Sequence, residues 1–510
     1  MAVVEKVEAG SSGRRRLRLR NPATLEAIGE IEVQTAEDVR AAVERARKAQ
    51  PTWAALSFAE RGSFLTRALS VLLERQDSVI QVIQSETGKP AVEVLTTEIL
   101  ESCDALAFYA KRSERMLADR HVPVHLVKNK KLMLSYVPLG VVGIVTPWNF
   151  PFLLSLNPVV QALMAGNAVL LKPSEATPMS GNLIGELFQA AALPEGVLQV
   201  LLGDGETGAA LVEAGVDKVS FTGSVRTGRK VAEACARQLI PVTLELGGKD
   251  PLIVCADADL ERAARGTVYG AFANAGQCCV STERVYVVEA VADAFVARVV
   301  ELTSELRQGT GGEFDVGPMI WPEQLAIVER HVEDARAKGA CVLTGGRRNP
   351  NYSGFFYEPT VLVDVDHGMD IMREETFGPV LPIMRVHDEE EALRLANATR
   401  YGLNASVWTR DKRRGFALAK SIESGCAVVN DCMTTYGVAE APFGGIKESG
   451  IGRVNGEIGL RSYCHVKSIL IERLGSKREA VWYPYSAQMA QRLKRIFRWL
   501  WGTPIGRLLS

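Results

Sequence analysis

The chain has 510 residues, of which 47% are hydrophobic and 23% charged, and its net charge is -1. That length exceeds a single compact core and implies two or three domains, with the composition of a soluble globular enzyme. The near-neutral balance excludes a generally basic nucleic-acid binder, and nine cysteines without a C-x-x-C pair exclude a disulfide framework and indicate a reducing, cytoplasmic compartment.

Met1 to Gly13 lacks the apolar core of a signal peptide. Arg14, Arg15, Arg16, Arg18 and Arg20 follow, and read as a solvated arm or an edge strand. The first strong helix opens at Thr35-Ala-Glu-Asp38, a capping-box start. It carries Val39, Ala42, Val43 and Ala46 on one face and is expected to stop at Pro51. Residues 121–127 and 131–136 read as a hairpin of strands. His121 and His125 have no cysteine or acidic residue beside them, so no zinc site is implied. No charge occurs from Leu132 to Leu171, but Pro138, Pro147, Pro151 and Pro158 break any helix long enough to cross a bilayer. A buried strand, an active-site loop and a core helix explain the run. Apolar runs at 141–145, 168–171, 197–201, 218–221 and 242–246 alternate with helical segments, and 252–254, 284–288 and 427–429 repeat the habit. The pattern predicts an α/β protein with doubly wound parallel sheets, in two α/β domains. Residues 463–471 read as a late strand.

The tail differs. On a helix, Met489, Leu493, Ile496, Phe497 and Leu500 share an arc of roughly 100°. Arg492, Lys494, Arg495 and Arg498 face away, Trp499 and Trp501 flank the stripe, and no acidic residue follows Glu479. Residues 487–510 fit a peripheral contact with a membrane surface, favoured slightly over a helix docked on protein. They are too short and too charged to span.

Three segments carry chemistry. Phe272-Ala-Asn-Ala-Gly-Gln-Cys278-Cys279-Val-Ser-Thr-Glu-Arg284 places a thiol in a small-residue loop before a strand. Leu244-Glu245-Leu-Gly-Gly-Lys249 ends a strand in two glycines and presents one carboxylate. Pro147-Trp148-Asn149-Phe150-Pro151 holds a side-chain amide between prolines. A nucleophile, a base and an oxyanion donor are the parts of acyl chemistry at a carbonyl. No G-x-G-x-x-G follows the first strand. Gly223-Ser224 instead ends a strand and opens a helix, whose N-terminal N–H groups suit a pyrophosphate.

These segments, in this order, resemble the aldehyde dehydrogenase superfamily. Leu171-Lys172-Pro173-Ser174-Glu175, Phe221-Thr222-Gly223-Ser224, Glu374-Glu375-Thr376-Phe377-Gly378-Pro379 and Pro442-Phe443-Gly444-Gly445 also look like its signatures. The likeness runs from about Asn21 to about Ile471. Trp482-Tyr483-Pro484-Tyr485 is similar to an extension found in one subgroup. The resemblance implies a Rossmann-like cofactor domain (15–117 and 138–246), an α/β catalytic domain (247–445), a small bridging and oligomerisation sheet (118–137 and 446–475) and a tail (476–510). It also implies a homodimer or homotetramer.

In that family pattern Cys279 attacks the aldehyde, the thiohemiacetal gives up a hydride, and the thioester is hydrolysed with Glu245 as general base. Asn149 and the Cys279 N–H hold the oxyanion. Cys278 and Lys249 stay outside the catalytic set. Lys172, Ser174, Glu175, Gly223 and Ser224 are cofactor-binding candidates, with Lys172 and Glu175 resembling the pair on the adenosine ribose. Glu375 looks like the nicotinamide-ribose ligand and Phe377 like the ring-packing residue, with Trp148 nearby. A carboxylate at Glu175 repels a 2′-phosphate, so NAD is preferred, with NADP as the alternative. No metal is implied.

Phe152, Leu153 and Leu154 make an apolar tunnel wall, and no arginine near Asn157 holds a distal carboxylate. The expected substrate is a hydrophobic aldehyde, medium to long aliphatic or aromatic, ahead of succinic semialdehyde. Thioesterase or esterase action without redox is the further alternative, and the intact cofactor motifs weigh against it. A scaffold role would predict loss of Cys279, Glu245 or Asn149. A CoA-acylating enzyme would have less need of Glu245.

Overall fold

The computed structural model describes residues 3–7, 14–475, 477–479 and 481–509. Local rules account for its opening elements. Along the strand Arg16–Arg20, Leu17 and Leu19 turn inward, while Arg16, Arg18 and Arg20 pair with Glu32, Glu30 and Glu5. The basic arm is therefore a strand whose charges are met. Thr35 caps the helix Ala36–Ala54 through a complete capping box, and Val39, Ala42, Val43 and Ala46 are buried beneath it. The helix does not stop at Pro51. That proline sits in the last turn, where it forfeits one hydrogen bond, and the turn is retained because buried Trp53 donates its indole N–H to the Leu163 carbonyl at 3.0 Å.

Residues 1–116 and 138–463 form one compact unit, 117–137 and 464–510 a second. The first unit holds two large sheets. In one, the strands run in the order Gly450–Ile451, Val242–Glu245, Lys218–Thr222, Val141–Val145, Ala168–Lys172, Leu198–Val200, all parallel except the first. Chain order leads outward from Val141–Val145 to one edge, then returns beside it at Lys218–Thr222 and runs to the other. This reversal creates a crevice at the C-terminal ends of those two strands, where ligands of doubly wound folds sit. The second sheet orders Cys341–Thr344, Thr360–Val363, Val380–Val386, Thr282–Val288, Asp250–Val254, Ser406–Trp408 and Val428–Val429, parallel except at the first strand. Its strands and helices enclose a core that includes Ile253, Tyr286, Phe295, Leu381 and Val407.

The uncharged run divides as its prolines suggest: a strand, a loop, then the fully buried helix Leu153–Met164, which accommodates Pro158. Among the described residues no helix is long and apolar enough to cross a membrane.

The second unit is a three-stranded sheet ordered Cys464–Glu472, Lys130–Pro138, Arg120–Val122, followed by the helices Ala487–Gly502 and Pro504–Leu509. The segment expected to bridge, 446–475, is split between the units. Gly450–Ile451 pairs with Val242–Glu245 in the first, and only the part from Cys464 onward joins the small sheet. Helix Ala487–Gly502 is N-capped by Ser486 and buries none of its side chains.

Candidate active site

The two large sheets meet the site from opposite ends of their strands. The cofactor-type sheet offers C-terminal ends: Pro147, Trp148 and Asn149 follow Val141–Val145, Gly223 and Ser224 follow Lys218–Thr222, and Glu245 closes Val242–Glu245. The other sheet offers N-terminal ends, with Cys279 leading into Thr282–Val288 and Glu375 and Phe377 into Val380–Val386. Trp148, Asn149, Gly223, Ser224, Glu245, Cys279, Glu375 and Phe377 all line one cavity of about 520 Å³.

Glu245 has the least ordinary environment. It is 4% exposed and neither carboxylate oxygen has a hydrogen-bond partner. Burial pushes its pKa well above the carboxylate range, against the pull of the Arg453 guanidinium. An unpaired buried carboxylate facing a cavity is a base in waiting. Its main chain is fixed by the sheet: Gly223 N–H donates to Glu245 O at 3.0 Å.

Cys279 is half-buried and Cys278 fully so. The neighbouring Cys278 side chain, then burial, then the charges of Asp250 and Glu375 hold the Cys279 thiol well above its ordinary pKa. The chain alone therefore keeps a resting thiol, and ionisation needs a proton acceptor. The turn before it is unusual: Asn274, Ala275 and Gly276 have φ of 52°, 54° and 70°. Gly276 is required there, since a Cβ would run into the Gly378 and Ala271 carbonyls. Asn149 donates one amide N–H to Gln277 O at 3.1 Å, leaving the second for an oxyanion.

The cofactor side offers groups that suit a dinucleotide. Ser224 caps the helix Val225–Gln238 by accepting from Thr227 N–H, so the first-turn N–H groups of a 14-residue helix open on the cavity as an anion site. Gly247 lies where any Cβ would collide with the Glu375 carboxylate, so backbone and carboxylate approach closely. Gly248 N–H donates to Glu375 at 3.2 Å, and burial lifts Glu375 to about 8. Trp148 and Phe377 meet edge-to-face at 5.5 Å. The capped helix end and Cys279 thus open on the same cavity.

Other candidates fall elsewhere. Lys172, Ser174 and Glu175 lie at the end of Ala168–Lys172, outside the cavity lining, with Lys172 paired to Glu175 at 3.2 Å. Of the expected tunnel wall, Leu154 lines the cavity, but Phe152 is 0% and Leu153 4% exposed, and neither lines it. Leu154 is itself only 5% exposed, so what separates the three is the side each faces and not the depth of burial. Cys279 packs against an apolar cluster that holds Phe150, Leu154 and Phe443, with Met433, Tyr436 and Cys426 packed against the same cluster; of these Leu154 lines the cavity. Trp321, Gln324, Arg226 and Arg400 also line the cavity. No local motif marks them; only packing brings them in. Lys249 is buried in an ion pair with Glu283 at 2.5 Å, and Glu283 accepts from the Thr376 and Phe377 N–H groups, which fixes the Glu375 loop.

The model described as the aldehyde dehydrogenase family matches residues 8–469. The chain is 42% identical over 477 residues to the 4,4'-diapolycopene aldehyde oxidase of a Methylomonas species, covering 93% of this chain and 89% of that one. It is 39% identical over 459 residues to the glutarate-semialdehyde dehydrogenase of Pseudomonas putida, covering 89% and 94%. Its fold superposes on a Mycobacterium tuberculosis aldehyde dehydrogenase complexed with NAD+ with a TM-score of 0.87 at 36% identity, covering 90% of this chain and 95% of that one.

Proposed function

The chain belongs to the aldehyde dehydrogenase family and is an oxidoreductase acting on aldehydes with NAD(P), and on that premise we propose which side chains carry the reaction and which aldehyde they take. The observation that carries the assignment is Glu245, buried without a partner in the cavity that also holds the Cys279 thiol.

Cys279 gives up its thiol proton to solvent water as Sγ adds to the aldehyde carbonyl, forming the C–S bond of a thiohemiacetal while the carbonyl π pair moves onto oxygen. The carbonyl oxygen takes up negative charge, and the free Asn149 amide N–H and the Cys279 backbone N–H donate to it. Bound NAD(P) supplies a two-electron acceptor for the hydride. The chain is left as a Cys279 thioester, and Glu245 removes a proton from the water that attacks it. The carboxylic acid departs and the thiol is restored. The Ser224 helix end holds the pyrophosphate, while Glu375 and Phe377 border the nicotinamide half. NAD is the preferred form in this reading on the likeness of Glu175 to the family's ribose ligand alone, since Glu175 lies outside the cavity lining and is paired to Lys172. A lower KM for NADP than for NAD would reverse that choice.

The aldehyde is hydrophobic, medium to long aliphatic or aromatic. Phe150, Leu154, Phe443, Met433 and Tyr436 belong to the apolar cluster that Cys279 packs against, and of them Leu154 lines the cavity. The Methylomonas relative, named for a diapolycopene aldehyde, supports the same direction. A semialdehyde is the second reading, favoured by the Pseudomonas relative. Following NADH absorbance with succinic semialdehyde, hexanal, benzaldehyde and hexadecanal separates the two. The apolar reading expects kcat/KM to be highest for hexanal or a longer or aromatic aldehyde; a maximum at succinic semialdehyde rejects it.

The tail is read as a peripheral membrane contact. After Glu479 the chain carries Arg492, Lys494, Arg495, Arg498 and Arg507 and no acid. On helix Ala487–Gly502, Ile496, Phe497, Trp499 and Trp501 are each about half exposed. Apolar and cationic groups on one solvent-facing helix suit the surface of an anionic bilayer. Sedimentation with phosphatidylglycerol vesicles tests this. Full-length protein is expected in the pellet and protein ending at Gly475 in the supernatant; equal partition of the two excludes the anchor.

A further inference from the structure

One segment touches both halves of the reaction centre without lining it with a reacting group. Residues 89–98 run from Lys89 through the short helix Ala91–Val94 into a π-turn, Leu95–Ile99, in which the Leu100 N–H closes on Leu95 O. A π-turn inserts a residue, so Glu93 and Glu98, five apart, come to the same side of the segment. Burial lifts the pKa of Glu93 to about 7, against the Asn274 N–H and the Lys89 charge, and the neighbouring Glu98 adds a smaller push in the same direction.

Each carboxylate ends on a different loop of the site. Glu98 is fully buried, pairs with Lys89 at 2.7 Å, and accepts from the Phe152 and Leu153 N–H groups, both at 3.0 Å. Those N–H groups open the helix that follows Asn149, and Lys89 Nζ lies 3.9 Å from the Phe150 ring centre. Glu93 accepts from Asn274 N–H at 2.6 Å. That bond secures Asn274 at a φ of 52°, in the left-handed region that asparagine enters more readily than most L-residues. So held, Asn274 donates its amide to two carbonyls at once, Asn149 O and Gln277 O, both at 3.0 Å. Gln277 O is also the acceptor for Asn149 Nδ2. The loop bearing the oxyanion amide and the turn bearing the thiol are thus joined through one side chain, itself set by Glu93.

We propose that Glu93 is a positioning residue which, through Asn274, holds the Asn149 amide in register with Cys279, and that Glu98 steadies the far side of the same loop. This rests on the oxyanion role given to Asn149 above. The main chain near Asn149 is braced from both flanks, by Glu98 at Phe152 and Leu153 and by Asn274 at its own carbonyl. Loss of the Asn274 brace lets the amide move relative to the sulfur. A displacement of about 1 Å at a reacting centre costs on the order of 100-fold in rate.

The test is a mutant cycle on kcat, with saturating NAD and hexanal. Glu93→Ala is expected to lower kcat by about 10- to 100-fold, with KM for NAD changed by less than about twofold. Glu93→Gln keeps an acceptor for Asn274 N–H and is expected to recover the rate to within about threefold of the parent. In an Asn149→Ala background the amide to be positioned is gone, so Glu93→Ala should then cost no more than about twofold. Should Glu93→Ala fail to fold, Asn274→Gly enters the same cycle, because glycine takes a positive φ freely and lacks only the amide. Full loss of rate from either change in the Asn149→Ala background overturns the proposal, as does a Glu93→Gln enzyme as slow as Glu93→Ala. Those outcomes leave the oxyanion assignment standing. If Asn149→Ala alone keeps the parental kcat, the oxyanion assignment falls and the positioning role with it.

Discussion

Glu245 and Cys279 are both shifted toward their neutral forms, and the reaction needs both as anions at some stage. A raised carboxylate and a raised thiol each lose their protons only as pH increases. The activity should therefore climb through neutrality into the alkaline range, and a kcat that falls steadily from pH 6 to 9 contradicts the assignment. Glu245→Gln keeps the shape but cannot take a proton from water. Rapid mixing should show one equivalent of NADH released promptly, followed by turnover slower by about 100-fold or more. Cys279→Ser replaces the sulfur by an alcohol that this site has no means to ionise, and about 1,000-fold or greater loss of aldehyde oxidation is expected. An NADH rate within tenfold of the parent would remove the covalent step. Cys278 next door is buried, and its effect is felt as a raised pKa at Cys279.

Among the elements, the turn before Cys279 bears the most strain. Three successive residues with positive φ bend the chain out of the helix Leu260–Phe272 and deliver the thiol to the start of Thr282–Val288. Gly276→Ala adds a Cβ against two backbone carbonyls that cannot swing away, and unfavourable φ besides. Denaturant unfolding should record a loss of about 2 to 4 kcal/mol. A cost under about 0.5 kcal/mol would mean the turn is looser than its geometry states. The capping box at Thr35 and the burial of Val39, Ala42, Val43 and Ala46 follow from sequence pattern alone. The end of the same helix does not, because Trp53 anchors a turn that proline rules would cancel.

At the scale of the molecule, sheet order does what no single motif can. Val141–Val145 and Lys218–Thr222 are neighbours because the connections reverse direction there, and the crevice between their ends becomes the cofactor cavity. The other sheet then supplies the sulfur and Glu375 from strand beginnings. In the second unit, strand Cys464–Glu472 lies at a sheet edge with Val466 at 58% and Leu470 at 55% exposure. If the expected homo-oligomer forms, the exposed apolar side chains on this edge strand are the surface that a second copy is proposed to cover. Sedimentation velocity should find a dimer or tetramer for the parent and a monomer for Val466→Glu combined with Leu470→Glu. An unchanged sedimentation coefficient in that variant locates the interface elsewhere.

The linear chain determined the family and the α/β alternation, and it nominated Cys279, Glu245, Asn149, Glu375 and Phe377, which the structure brings to one cavity, because each of these is a local pattern of residue type and spacing. It also contained Asn274 within the string that carries the thiol, without marking its task. Only the tertiary structure decided that Leu154 rather than Phe152 faces the cavity, that both oxygens of Glu245 lack partners, and that residues 89–98 reach both reacting loops. These are distances between residues far apart in the chain. Periodicity reports which side of its own element a residue occupies, whereas what lies opposite that side is set by strand order and packing.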